Sequence, residues 1–137
     1  MVAEKTDFDL AIIGGGPGGY VAAIRAVQLG ARVALIEMER VGGTCLNRGC
    51  IPTKAMVSQA EMYTHALHNA GDWGIDLAGT PKLNFSRFMA RKDEVTETLV
   101  SGIEQLIKAH GITLFEGKGR IVSPTKVMVN EETEVDC

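Results

Sequence analysis

Basic residues are not in excess in this chain. Lys and Arg number 14 against 17 Asp and Glu, giving a net charge of −3 and a pI of about 5.6. A nucleic-acid face or a patch for anionic membranes is therefore not expected. Long apolar runs are also missing. The first such run, Leu10-Ala11-Ile12-Ile13, stops at glycines, far short of the roughly 20 residues a membrane-spanning helix needs. The opening Met-Val-Ala-Glu-Lys-Thr-Asp has neither the basic region nor the apolar block of a secretory signal. Cytoplasmic residence is the expectation. Internal repeats and low-complexity segments are likewise absent. Cysteine is scarce, with three residues in 137, which excludes the disulfide framework of a small secreted domain. Cys45 and Cys50 lie close together, a spacing that suggests redox work or metal binding. Cys137 is read as incidental.

What is present is ordinary globular composition, 45% hydrophobic and 23% charged over one domain's length. Its pattern alternates strand and helix. Leu10–Ile13 reads as a buried parallel strand, Pro17 to about Leu29 as a helix stopped by Gly30, and Val33–Ile36 as a second strand ending at Glu37. Together they form one right-handed strand–helix–strand unit. A helix is predicted from about Thr53 to Asn69, a loop over Gly71–Pro81, and a long helix from about Ser86 to His110. Short strands are expected at Ile112–Phe115, Arg120–Val122 and Lys126–Val129, with Ser123-Pro124 as a turn. Glu131-Glu132 reads as a solvated turn, and the residues up to Cys137 as the start of another strand. With two firm parallel strands and an exposed edge, the sheet is expected to be incomplete at its carboxyl end.

Gly14, Gly16 and Gly19 fit G-x-G-x-x-G between that first strand and the helix opening at Pro17. Gly14 allows the tight turn. Gly16 leaves room for a pyrophosphate at the helix amino terminus, where unpaired N–H groups favour an anion, and Gly19 lets helix and strand press together. Glu37 stands where a carboxylate would bind both hydroxyls of an adenosine ribose. The glycines alone could be a purely structural turn, but strand, helix and acid in this order point to a dinucleotide. They leave FAD and NAD undistinguished.

The segment Gly42-Gly43-Thr44-Cys45-Leu46-Asn47-Arg48-Gly49-Cys50-Ile51-Pro52-Thr53-Lys54 bears on that choice. Residues five apart on a regular helix have Cα atoms about 8.7 Å apart, beyond the roughly 7 Å reach of a disulfide. A Cys45–Cys50 bridge therefore requires a broken or unformed helical turn, which Gly49 permits and Pro52 encourages. Lys54 follows Cys50 by four residues. Its ammonium would favour a thiolate there and negative charge on a reduced flavin.

Gly42 to Pro52 resembles the active-site motif of the class I pyridine nucleotide–disulfide oxidoreductases. With Leu46-Asn47 and Ile51-Pro52-Thr53-Lys54, it is most similar to the dihydrolipoamide dehydrogenase branch. Glutathione and mercuric reductases more often have Val at the positions of Leu46 and Ile51. The likeness extends over the glycine turn, Glu37, both long helices and Glu116-Gly117-Lys118-Gly119-Arg120-Ile121. It implies a Rossmann-like α/β FAD-binding domain with a parallel sheet, a helical excursion and a small antiparallel meander, and residues 1–137 are expected to form part of that domain.

The resemblance also assigns roles. Gly14, Gly16, Pro17, Gly19 and Glu37 would hold the adenosine diphosphate, Gly43, Thr44 and Cys45 would line the flavin path, and Lys54 would contact its ring. Gly117 and Gly119 would meet the adenine. Cys45 would be the interchange thiol, exchanging with dihydrolipoamide or a lipoyl domain of a 2-oxo acid dehydrogenase complex, and Cys50 the charge-transfer thiol. Electrons would pass through FAD to NAD+. The family's second glycine fingerprint for NAD, its His–Glu base pair and its homodimer interface have no counterpart here. The chain alone is expected to lack NAD-linked activity.

Three further readings complete the set. A zinc site of Cys45, Cys50, His65 and His68 is disfavoured, because no finger-like strand pattern precedes the histidines and the glycine turn would be unexplained; no metal is expected. The competing readings are another flavin disulfide reductase, of glutathione or mercuric reductase type, and, of a different class, a non-catalytic FAD-binding fragment. Trp73 is read as a packing anchor, and Met56 and Met62 as core fillers.

Overall fold

A computed structural model of the chain describes residues 7–137. Strand β1 (Leu10–Ile13) leads through the glycine turn into α1 (Pro17–Gln28), and β2 (Val33–Glu37) returns beside β1. Two helices, α2 (Gly43–Asn47) and α3 (Cys50–His68), a short 3-10 turn at Gly71–Trp73 and the long α4 (Phe85–Ala109) form the crossover to β3 (Thr113–Glu116). A meander of β4 (Gly119–Ser123), β5 (Lys126–Val129) and β6 (Thr133–Asp136) follows.

Strands β1 and β3 flank β2, both parallel to it, with Leu10 opposite Val33 and Ala34 opposite Thr113. Central position explains the unbroken apolar run of β2. Side chains alternate between the faces of a sheet, and here both faces are covered. Val33 and Leu35 join Ala23 of α1 and Val100, Ile103 and Ile107 of α4 in one core. Ala34 and Ile36 face the other way, onto Val127, Val129 and Val135 of the meander. All four β2 residues from Val33 to Ile36 are at most 2% exposed. The expected strand at Ile112–Phe115 is thus the third of the parallel sheet, and the expected antiparallel meander covers its other face.

The register of the long helix follows its sequence. Val100, Ile103 and Ile107 recur at helical spacing on its buried face, and Asn84 caps it by accepting from the Arg87 N–H at 3.0 Å. Strand β6 was expected as the start of another strand and is the third strand of the meander, antiparallel to β5 with Val135 opposite Val127. The turn between β5 and β6 holds Glu131 and Glu132 in solvent, as expected. Asn130 and Glu131 adopt positive φ there, at 51° and 61°. Met62 is 71% exposed and fills no core. It borders open grooves that α3 forms with Trp73 on one side and with Phe88 of α4 on the other. Trp73 is exposed too, its ring resting against His65 at 5.1 Å between centroids. Among the described residues no helix is long and apolar enough to cross a membrane.

Candidate active site

The glycine turn is built by backbone contacts that side chains would forbid. The Gly14 N–H donates to the Ile36 carbonyl at 2.7 Å, with Gly14 at φ 102°. A Cβ on Gly19 would lie 1.7 Å from the Gly14 carbonyl oxygen, so only glycine lets α1 seat on the turn. Gly16 caps α1 without a side-chain hydrogen bond, Pro17 opens the helix, and its first turn holds no acid. The leading N–H groups are therefore unclaimed by side chains, and the helix end suits an anion.

Glu37 ties this turn to the end of β2. Its Oε2 accepts from the Gly15 N–H at 2.7 Å and its Oε1 from the Glu39 N–H at 2.9 Å. The Glu37 carbonyl accepts from the Gly117 N–H at 2.8 Å, which brings Gly117 to the same strand end. Gly119 lies deeper, where an added Cβ would meet Ile13 and Ile36 at 3.1 Å. Gly15 was not singled out in the sequence. Its value comes from contact with Glu37, 22 residues away, and the only local signal is the run of three glycines.

The cysteine segment leans directly on the turn. Gly42 donates its N–H to the Gly15 carbonyl at 2.8 Å. Gly43, at φ 59°, approaches so closely that a Cβ would stand 2.8 Å from Gly16 Cα. Helix α2 then carries Thr44 and Cys45 and ends at Asn47. The backbone leaves helical geometry at Arg48 and Gly49, with φ of −137° and −124°. The required break between the cysteines is therefore present. The helix start differs from expectation: α3 starts at Cys50, not Thr53, with the Gly49 carbonyl accepting from the Thr53 N–H at 3.1 Å. Pro52 sits inside the first turn of α3, where its missing N–H costs nothing. Cys50 thus occupies the first position of a 19-residue helix, where the unpaired N–H groups attract negative charge.

Both thiols are free in this structure, Cys45 half-buried and Cys50 exposed. Hydrogen bonding to Cys50 raises the Cys45 thiol above its ordinary range; partial desolvation adds to the rise, and the charge of Lys54 works weakly against it. Lys54 itself is exposed. Beside them a cleft of about 260 Å³ is lined by Glu37, Gly43, Thr44, Asn47 and Arg48. An ion pair between Arg48 and Glu39 borders it. Cleft, unclaimed helix end and ribose-type carboxylate are contiguous, so these residues fit an adenine dinucleotide such as FAD. A roomier hollow of about 400 Å³ lies along α3 near Met62, His65 and Trp73, and neither cysteine lines it. His65 and His68 are both exposed on that part of α3.

Residues 8–137 match the pyridine nucleotide-disulphide oxidoreductase family, and the chain belongs to it. Among curated relatives it is 43% identical over 127 residues to the dihydrolipoyl dehydrogenase of Acholeplasma laidlawii, covering 93% of this chain and 38% of that protein. It is 47% identical over 120 residues to the dihydrolipoyl dehydrogenase of Bacillus subtilis, covering 88% of this chain and 25% of that one. A solved structure, the HOCl-induced flavoprotein disulfide reductase RclA from Escherichia coli, superposes with a TM-score of 0.73 at 29% identity. That match covers 92% of this chain and 25% of the other. The chain therefore spans between a quarter and two fifths of the length of these relatives.

Proposed function

We propose that residues 1–137 form part of the FAD-binding domain of a dihydrolipoamide dehydrogenase, including its redox disulfide. One observation carries the reading. The helix is interrupted between Cys45 and Cys50, as a bridge between them requires, and the interrupted segment rests on the glycine turn that suits a dinucleotide.

In this reading Gly14, Gly16, Pro17 and Gly19 seat the pyrophosphate, and Glu37 accepts from the adenosine ribose. Gly117 and Gly119 border the adenine, Gly43 and Thr44 line the path to the flavin, and Lys54 lies at its ring. When bound, FAD supplies an acceptor for two electrons. The rest is thiol chemistry. A dihydrolipoamide thiolate attacks Cys45 Sγ of the oxidised pair, the Cys45–Cys50 bond breaks, and Cys50 leaves as a thiolate. The second substrate thiolate then attacks the mixed disulfide, releasing lipoamide and the Cys45 thiolate. Two electrons now reside on the pair. Cys50 stands at the amino end of α3, with Lys54 one turn further along the same helix. In the whole protein the electrons would end on NAD+, with a lipoyl domain of a 2-oxo acid dehydrogenase complex as the thiol donor.

Anaerobic titration of the chain reconstituted with FAD tests this. Protein that stays yellow after desalting and is bleached by dihydrolipoamide is the expected result. Cys50→Ser should remain yellow but no longer bleach. NAD+ reduction by these 137 residues alone should stay at background. Failure to take up colour, together with cysteines that never pair under mild oxidation, would sink the reading. Colour without bleaching would favour a non-catalytic flavin-binding module.

A further inference from the structure

The residue between the two cysteines with the most constrained side chain is Asn47. Its Nδ2 donates to two carbonyls at once, those of Val41 at 3.1 Å and Gly43 at 3.0 Å. Two carbonyl partners leave no ambiguity about which end of the amide faces them. Both lie upstream of Cys45, on either side of Gly42. Gly42, the cap of α2, and Gly43, its first residue, have positive φ, at 97° and 59°. The helix they open is only five residues long, too short to hold itself by its own ladder. After it the chain breaks at Arg48 and Gly49. The short segment bearing Cys45 is thus irregular at both ends, and the Asn47 amide is the side chain that braces it to what precedes it.

We propose that Asn47 is a positioning residue for the Cys45–Cys50 pair: by clamping the Val41 and Gly43 carbonyls it fixes the α2 segment so that Cys45 Sγ is held against Cys50. This rests on the disulfide reading above. Its consequence concerns the equilibrium between dithiol and disulfide. Closing the bridge requires the two sulfurs to be held together beforehand, and the clamp supplies that restraint in the open form. Loosening the segment lowers the effective concentration of one thiol at the other.

The test is a redox-buffer titration of the full chain with oxidised and reduced glutathione. Glutathione disulfide is the oxidant: a Cys45 thiolate displaces one glutathione thiolate, and the Cys50 thiolate then displaces the second, closing the bridge. The fraction bridged is read by quenching, alkylation and mass. Asn47→Ala and Asn47→Asp are compared with the parent and with Ile107→Val. The last variant thins the core beneath α4, far from the cysteines in sequence. Both Asn47 variants should lower the equilibrium constant for bridge closure about tenfold, or roughly 30 mV for a two-electron couple, and the mixed disulfide should accumulate. Ile107→Val should melt earlier and close its bridge as the parent does.

Equilibrium constants within twofold of the parent in a folded Asn47 variant would overturn the proposal. So would an Ile107→Val protein that loses bridge closure to the same extent, because stability alone would then account for the effect. If one Asn47 variant fails to fold, the other decides. A parent that never bridges is a different failure: it removes the redox reading first, and the role of Asn47 with it.

Discussion

The Cys45 thiol is held up chiefly by its hydrogen bond to Cys50, and this has a kinetic consequence. Only the thiolate reacts, so Cys45 in the dithiol form should be alkylated slowly at neutral pH and faster as pH rises. Cys50→Ala removes both the hydrogen bond and the neighbouring charge. The pH midpoint of Cys45 alkylation, followed with a haloacetamide, should fall in that variant and rise in Lys54→Met, where an attracting charge is lost. Gly19→Ala is a harsher change. Its Cβ has no room beside the Gly14 carbonyl, and the obstacle is backbone, so the expected cost is about 3 kcal/mol or more, at the top of the overpacking range. A denaturant melt measures that cost, and flavin retention should fall in parallel. Gly19 was legible because its job follows from a spacing. Gly15, Asn47 and the two-sided grip on Glu37 were not, because each depends on segments that only folding brings together.

Among the elements, the helix interruption shows how far local rules reach. Helix geometry alone says that residues 45 and 50 cannot bridge on an unbroken helix, and the break was expected on that ground. What was set too late was the start of α3, at about Thr53, after Pro52. A proline in the first turn gives up an N–H that would have no helical partner anyway, so α3 starts two residues before it and presents Cys50 at its amino end. The start of α4, in contrast, was readable to within a residue. Its apolar spacing placed it, and the structure adds the cap, Asn84, which that spacing did not single out. Asn84→Ala should cost about 1 kcal/mol of stability in a urea melt, with the redox behaviour of the cysteines unchanged. For β6 the strand was legible and its partner was not. Pairing register with β5 is set by Val127 and Val135 meeting beneath the parallel sheet, which a pattern of residues cannot announce.

For the molecule as a whole, the parallel sheet is closed on one face by helices and on the other by the meander, whose last strand also touches the start of β1. The Phe8 N–H donates to the Asp136 carbonyl at 3.0 Å. Near that seam Asp9 accepts from the Arg32 backbone N–H at 2.7 Å and from its guanidinium at 3.2 Å. The Arg32 hydrogen bonds hold the Asp9 carboxyl below its ordinary range. The folded value thus lies below the unfolded one. The stabilisation is complete above the unfolded carboxylate range and is lost as pH falls through the folded value. Glu97, held low by Arg40, behaves with the same sign. Asp9→Asn should therefore flatten part of the acid limb of a plot of melting temperature against pH and leave the neutral plateau only slightly lowered. Close approach of the Gly16 and Gly43 backbones reaches further than packing. On the proposed reading a dinucleotide on the turn and a bridge between the sulfurs would act on one piece of main chain, so coupling between them is expected. By thermodynamic reciprocity, whatever factor a bound dinucleotide applies to the closing of the bridge, closing the bridge applies to the dissociation constant of that dinucleotide.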